Sequence, residues 1–135
     1  WGSLDIMIVD MPPGTGDAQL SLVQTIDLDG AVMVTTPQQV ATGDVRRGIK
    51  MFERVNTRVL GIVENMSGDV FGSGGGEALA QEMGLPFLGR VPLDAAVAQA
   101  GDAGAPTVVS ASESEAAKAL DAVKNAVQKQ LASSV

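Results

Sequence analysis

Leu4-Asp5-Ile6-Met7-Ile8-Val9-Asp10, followed by Met11-Pro12-Pro13-Gly14-Thr15-Gly16-Asp17, is the stretch that decides the fold class of this chain. Its first half is an apolar run of strand length closed by a carboxylate. The Pro-Pro-Gly that follows can continue neither a strand nor a helix. A run that is apolar at successive positions, instead of alternating, predicts a strand buried on both faces of a parallel sheet. The signature recurs at residues 30–36, before Pro37, at residues 58–64 around Val59-Leu60-Gly61-Ile62-Val63, and at residues 86–91, before Pro92.

Helical periodicity fills the gaps between these runs. Residues 17–25, 39–54 and 75–83 predict three helices, the last ended by Gly84. Asp94 is placed to cap a short helix through residue 100. Ser112 and Ser114 offer caps for a closing helix with Glu113 and Glu115 in its first turn and Ala116, Leu120, Val123, Val127 and Leu131 on one face. Its last few residues are expected to fray. Residues 107–109 predict a last short strand, and residues 65–76 a glycine-rich loop. The expectation is an α/β fold, a doubly wound, mostly parallel sheet with helices on both faces, and no repeat or linker.

The 135 residues suffice for one domain. By mass scaling a compact monomer would expose roughly 6,600 Å². Hydrophobic residues make up 45% and aromatics 3%, so Val, Ile, Leu, Met and Ala must build the core. With no Cys and no His, thiolate metal ligation, cysteine nucleophiles, Ser-His-Asp triads and imidazole acid–base catalysis are excluded within this chain. A net charge of -7 argues against nucleic acid as a partner, whose affinity rests on phosphate neutralisation. No apolar run approaches a membrane span and no signal-like stretch is present, so the expected location is cytoplasmic, with no membrane partner. Trp1 opens the chain a few residues before an apolar strand, which predicts a fragment.

In open parallel sheets ligands collect at the carboxyl ends of the strands. The first run ends in Asp10, the others in Thr35-Thr36-Pro37-Gln38, Glu64-Asn65-Met66-Ser67 and Pro92-Leu93-Asp94. An apolar strand ending in Asp is the Walker B pattern, whose carboxylate holds Mg²⁺ directly or through water. Gly14 and its neighbours allow backbone N–H groups to approach a γ-phosphate. The plainer alternative for Asp10 is a strand-end carboxylate that caps the next loop.

The G-x-x-x-x-G-K-S/T loop that cradles phosphates is not in this sequence. Residues 43–50 approach it with wrong spacing inside a helix, and Gly72-Ser73-Gly74-Gly75-Gly76 is read as a flexible lead into the helix of Glu77. Five of the nine basic residues lie between Arg46 and Arg58, with Arg46, Lys50 and Arg54 on one helix face, most simply a solvated face. The closing helix carries Lys118, Lys124 and Lys129 without an aromatic anchor, which suits packing and not membrane attachment.

The first stretch resembles the switch region of the Mrp/ApbC family of P-loop ATPases, proteins of iron–sulfur cluster assembly and carriage. The likeness continues through Val34-Thr35-Thr36-Pro37-Gln38, Arg46-Arg47-Gly48-Ile49, residues 60–67, Phe71-Gly72-Ser73-Gly74-Gly75-Gly76-Glu77 and residues 88–94, nearly the whole chain. It implies a partial P-loop fold of the MinD-like kind, residues 1–135 being the C-terminal part of one ATPase domain. It further implies that Asp10 acts at Mg²⁺ and the attacking water, through water, and that Gly14 and Thr15 sense the γ-phosphate. Asn65 would read the adenine edge, with Pro92 and Asp94 lining the base. An Asn amide can pair with adenine in this way. Arg46 and Arg47 match a family position for which no role follows from the sequence.

Two departures limit what carries over. The family's Walker A loop and its lysines are missing, so the isolated chain is expected not to hydrolyse ATP. Cluster-carrying members place a Cys-x-x-Cys pair between the segments matching Ser67 and Phe71, where this chain has only Gly68-Asp69-Val70. Without a thiolate this chain cannot bridge a 4Fe–4S cluster. The resemblance implies ATP and Mg²⁺ as cofactors of the complete protein, a homodimer, and iron–sulfur apoproteins as partners. The alternatives are a MinD/ParA-like partition or positioning ATPase and a non-catalytic interaction module. With one half of the domain missing, an uncovered sheet edge is expected to drive association.

Overall fold

The computed structural model describes residues 1–133; residues 134 and 135, the end of the tail expected to fray, lie outside the described residues. Three parallel strands, β1 (Ala31–Thr35), β2 (Val59–Ser67) and β3 (Phe87–Pro92), form one sheet in the order β1-β2-β3. Around it lie α1 (Asp17–Thr25), α2 (Gln39–Arg54), α3 (Gly75–Met83), α4 (Ala95–Asp102), α5 (Thr107–Ser110) and α6 (Glu115–Ala132). The pairing Met33↔Ile62↔Phe87 puts these three side chains on one face, where Ile49, Met51 and Phe52 of α2, Leu79 and Ala80 of α3 and Val23 of α1 close the larger core. Their neighbours Val63, Leu88 and Val91 face the other way onto Ala116, Leu120, Val123 and Val127 of α6. Helices therefore cover both faces, as the apolar strands require.

The caps follow the sequence closely. Asp94 Oδ1 accepts from Ala96 N at 2.9 Å, and Ser114 Oγ accepts from Ala117 N at 3.1 Å, so Ser114 and not Ser112 opens α6. Gly84 ends α3 in the left-handed conformation, at φ 66°.

Four expectations are corrected. Residues 4–10 form no strand: Leu4, Ile6, Met7 and Ile8 are exposed, Ile8 at 89%, because no neighbouring strand among the described residues supplies a ladder. Residues 107–109 belong to the helical turn α5, in which Val109 N and Ser110 N both donate to Pro106 O at 2.9 Å, satisfying locally the groups a strand would need to pair. β2 runs past Glu64 to Ser67, so the loop begins later than the polar residues suggest. The run Gly72–Gly76 is not a loose lead, as the site below makes plain.

β1 is also less covered than its composition implies. Val32 and Val34 share the α6 side of the sheet, but α6 packs on β3 and β2, and Val34 stays 56% exposed. The chain exposes 8576 Å², well above the roughly 6,600 Å² of a compact monomer of its mass.

Candidate functional site

The carboxyl ends of the strands gather the polar residues, and Glu64 organises them. It stands between Thr35 and Arg90 in the ladder and its side chain is fully buried. Its carboxylate accepts from Gly76 N at 2.8 Å, from Gly74 N at 3.0 Å and from Arg90 Nε at 2.7 Å, with a further bond from the Ser67 side chain. Burial pushes the Glu64 carboxyl up, but the bonds from Gly76, Arg90, Gly74 and Ser67 together outweigh it and hold the group below its usual range. Arg90 continues to Glu77 Oε2 at 3.0 Å and lies over the Phe87 ring, 5.4 Å from its centroid.

This network fixes the glycine run. Two N–H groups at the start of α3, orphaned by helix geometry, point at the buried carboxylate. A Cβ on Gly76 would sit 2.9 Å from Glu64 Cβ, and one on Gly75 would overlap the Pro37 carbonyl. Glycine is needed there because Gly75 packs on the Pro37 backbone and Gly76 on the Glu64 and Thr35 side chains. Gly68 and Gly72 close the preceding loop by exchanging hydrogen bonds of 2.8 and 2.7 Å.

Asn65 lies just beyond Glu64, on an irregular turn of β2. Glu64 pairs with Arg90 and Ser67 with Pro92, so three steps on β2 face two on β3. The extra residue is absorbed at Asn65-Met66, where Met66 takes φ 55°, an unusual value for a side chain without local polar bonds of its own. Asn65 Oδ1 accepts from Met66 N at 2.9 Å. Beyond the bulge, Leu93 N donates to Ser67 O at 2.8 Å, which brings the end of β3 alongside. Asn65, Pro92 and Asp94 thus all lie at or just beyond the carboxyl ends of the adjoining strands β2 and β3. The Asp94 carboxylate serves as the cap of α4.

Asp10, Gly14 and Thr15 form a second group on the exposed segment before α1. Met11 packs on the larger core, and Gln19 Nε2 of α1 donates to Pro12 O, which ties the segment down. Thr15 lines an open cleft of about 500 Å³ with Leu20, Arg47, Lys50, Met51 and Arg54. Arg46 does not join it: its guanidinium grips Glu82 of α3 through two bonds of 2.9 and 2.7 Å, and Arg47 is paired with Asp44.

Asp10 takes part in no ion pair among the described residues, and no group of three or more acidic side chains gathers to hold a metal. A single exposed carboxylate fits Mg²⁺, which keeps most of its waters and takes one or two protein ligands. A thiolate-bound cluster does not fit, since the chain has no cysteine. Among the described residues no helix is long and apolar enough to cross a membrane.

Sequence reasoning missed the roles of Glu64 and Arg90. The signal was present: a carboxylate and a guanidinium at the same depth of two adjoining apolar strands, where unpaired charge is too costly to bury.

Residues 1–128 match the family model described as ParA, NUBPL iron-transfer P-loop NTPase. An iron–sulfur cluster carrier protein of Synechocystis sp. is 54% identical over 134 residues, covering 91% of this chain and 38% of that protein. The iron–sulfur cluster transfer protein NUBPL of Mus musculus is 45% identical, covering 99% and 45%. The chain thus spans about two-fifths of the length of these curated relatives. Among solved structures, the nucleotide-binding protein in complex with ADP from Archaeoglobus fulgidus is 38% identical with a TM-score of 0.62, covering 70% of this chain and 43% of that one. The septum site-determining protein MinD complexed with Mg-ADP from Pyrococcus horikoshii reaches a TM-score of 0.79 at 23% identity, covering 93% and 51%, a likeness of fold alone. Matched along nearly its whole length, the chain belongs to the ParA family of NUBPL iron-transfer P-loop NTPases.

Proposed function

We propose that this chain supplies the switch segment and the base-binding edge of a nucleotide-dependent protein of iron–sulfur cluster carriage. The observation that carries the reading is the bulge at Asn65 on β2, whose far side at Ser67 pairs with Pro92 just before Asp94, at the carboxyl end of a parallel sheet, where such folds bind ligands. Asn65 offers its amide to the adenine edge, and Pro92 and Asp94 line the base. Asp10 holds Mg²⁺ through water, and backbone N–H groups at Gly14 and Thr15 meet the γ-phosphate. When bound, Mg²⁺ offsets phosphate charge and polarises the attacking water. The Gln19 bond to Pro12 leaves the residues around Gly14 as the part free to respond to that phosphate.

The main phosphate cradle is not among these residues, so this chain alone does not turn over ATP. The cluster is cargo in this reading, handed to iron–sulfur apoproteins by a cytoplasmic homodimer, and it is not held by thiolates of this chain. The resemblance to carrier and transfer proteins supports that assignment over a positioning role, because the likeness to MinD extends only to fold.

The test is ATP hydrolysis by the full-length protein. Asp10→Ala is expected to lower kcat about a hundredfold, and Asn65→Ala to raise KM for ATP about tenfold at similar kcat. Unchanged turnover in Asp10→Ala would remove that residue from the chemistry.

A further inference from the structure

The bulge that presents Asn65 is held on both sides. On the near side Glu64 and Arg90 are paired in the ladder and again through their side chains at 2.7 Å. On the far side Ser67 receives Leu93 N. The Ser67 side chain also bonds the Glu64 carboxylate, so one buried group reaches across the two bulged residues and ties their ends together. Between these ends, Met66 is kept at φ 55° and its N–H closes onto Asn65 Oδ1. A backbone conformation of this kind persists only where its surroundings over-determine it, and such surroundings belong to functional sites. The carboxylate has a third tie, to the two N–H groups of Gly74 and Gly76, which makes α3 the rigid base of the clamp.

We infer that Glu64 and Arg90 are positioning residues for base selection: they hold the Asn65-Met66 bulge in the one shape that aims the Asn65 amide at a purine edge. Neither touches the nucleotide. The inference rests on the proposed adenine contact of Asn65 and adds the device that sets its specificity. With Asn65 Oδ1 engaged by Met66 N, the amide keeps its N–H₂ for the ligand. Held this way round, the N–H₂ and the second lone pair of Oδ1 match the N1 acceptor and the amino donor of adenine and mismatch the N1–H donor and O6 acceptor of guanine. A bulge free to relax would turn the amide either way and lose that choice.

The experiment compares MgATP with MgGTP as substrates of the full-length protein, reading kcat and KM for each. Arg90→Gln removes the charged partner from the partly exposed side and leaves Glu64 its bonds from Gly74 and Gly76. Glu64→Gln keeps an acceptor for Gly74 and Gly76 but lets go of Arg90. Both are expected to lower the ratio of KM for GTP to KM for ATP about tenfold, with kcat for ATP little changed and Arg90→Lys restoring most of the ratio. Asn65→Ala separates the two levels. If it leaves the ratio unaltered, the adenine contact itself is wrong and the inference goes with it. If it abolishes the ratio while Arg90→Gln and Glu64→Gln both retain it, the contact stands and the clamp is overturned. Equal loss of kcat/KM for both nucleotides in Arg90→Gln would also overturn it, marking general damage instead of lost selection.

Discussion

Glu64 and Arg90 face each other across the β2–β3 ladder, and the guanidinium closes at 2.7 Å on a carboxylate with no access to water. The hydrogen bonds around Glu64 hold its carboxyl below the ordinary value of 4.5 despite burial. A carboxyl so lowered in the folded state favours folding at any pH above its unfolded value, and that contribution disappears as pH falls through the lower, folded one. Urea midpoints are therefore expected to be flat from neutrality down to about 4.5 and to drop below it. In Glu64→Gln that part of the drop should be missing. An identical acid profile in the variant would show that other carboxylates govern acid unfolding.

Gly75 and Gly43 both lie in helices, and the same substitution should act on them with opposite sign. A Cβ at Gly75 meets the Pro37 carbonyl, a backbone atom that cannot rotate away. Gly75→Ala is expected to destabilise by about 3 kcal/mol or more, through overpacking and displacement of the Glu64 network. At Gly43, within α2, nothing lies within 4 Å of the added carbon. Gly43→Ala should stabilise by about 1 kcal/mol from helix propensity alone. Thermal or chemical unfolding of the two variants side by side decides the matter, and a loss at Gly43 would mean that its helix face is covered by something else.

How much of this was legible depends on whether a feature is local. The bounds of α1, α2 and α3 follow from residues within one turn of each end, and the Asp94 and Ser114 caps from side chains two or three positions from the N–H they bind. The strand expected at residues 4–10 failed because a strand is a pairing, and composition does not show whether a partner is there. The turn α5 shows the converse: Thr107-Val108-Val109 favours extended backbone, yet Val109 N and Ser110 N donate to the nearby Pro106 carbonyl and Ala111 N to that of Thr107. At the site, Asn65, Pro92 and Asp94 were legible as strand ends. The clamp was not, since Glu64, Gly74, Gly76 and Arg90 meet only once β2, α3 and β3 are packed.

Ser114 and Ser112 provide a sharper check on capping. Only Ser114 bonds the first turn of α6, through Ala117 N at 3.1 Å. Ser114→Ala should cost about 1 kcal/mol and Ser112→Ala nearly nothing, measured as shifts in urea midpoint. Because α6 packs on β3 through Val123 and Leu120, the loss should appear in the same cooperative transition as the sheet. A separate early transition for α6 would show that the helix is only loosely docked.

Val34 tests whether the open side of β1 drives association. Its neighbour in the ladder, Val63, is covered by α6, while Val34 itself is 56% exposed and Val32 37%. β1 is an edge strand, since it pairs only with β2 among the described residues. An apolar edge of this kind invites another strand or a second copy. The chain is expected to elute above its monomer mass of 13.8 kDa in size exclusion with light scattering. Val34→Lys should move it toward monomer, because an exposed lysine on an edge strand resists pairing and the change removes no buried contact. The substitution should leave the unfolding midpoint nearly unchanged at low protein concentration. If instead Val34→Lys stays associated while charge placed at Ile8, 89% exposed on the preceding segment, releases the monomer, then the extended residues 4–10 and not the sheet face form the contact.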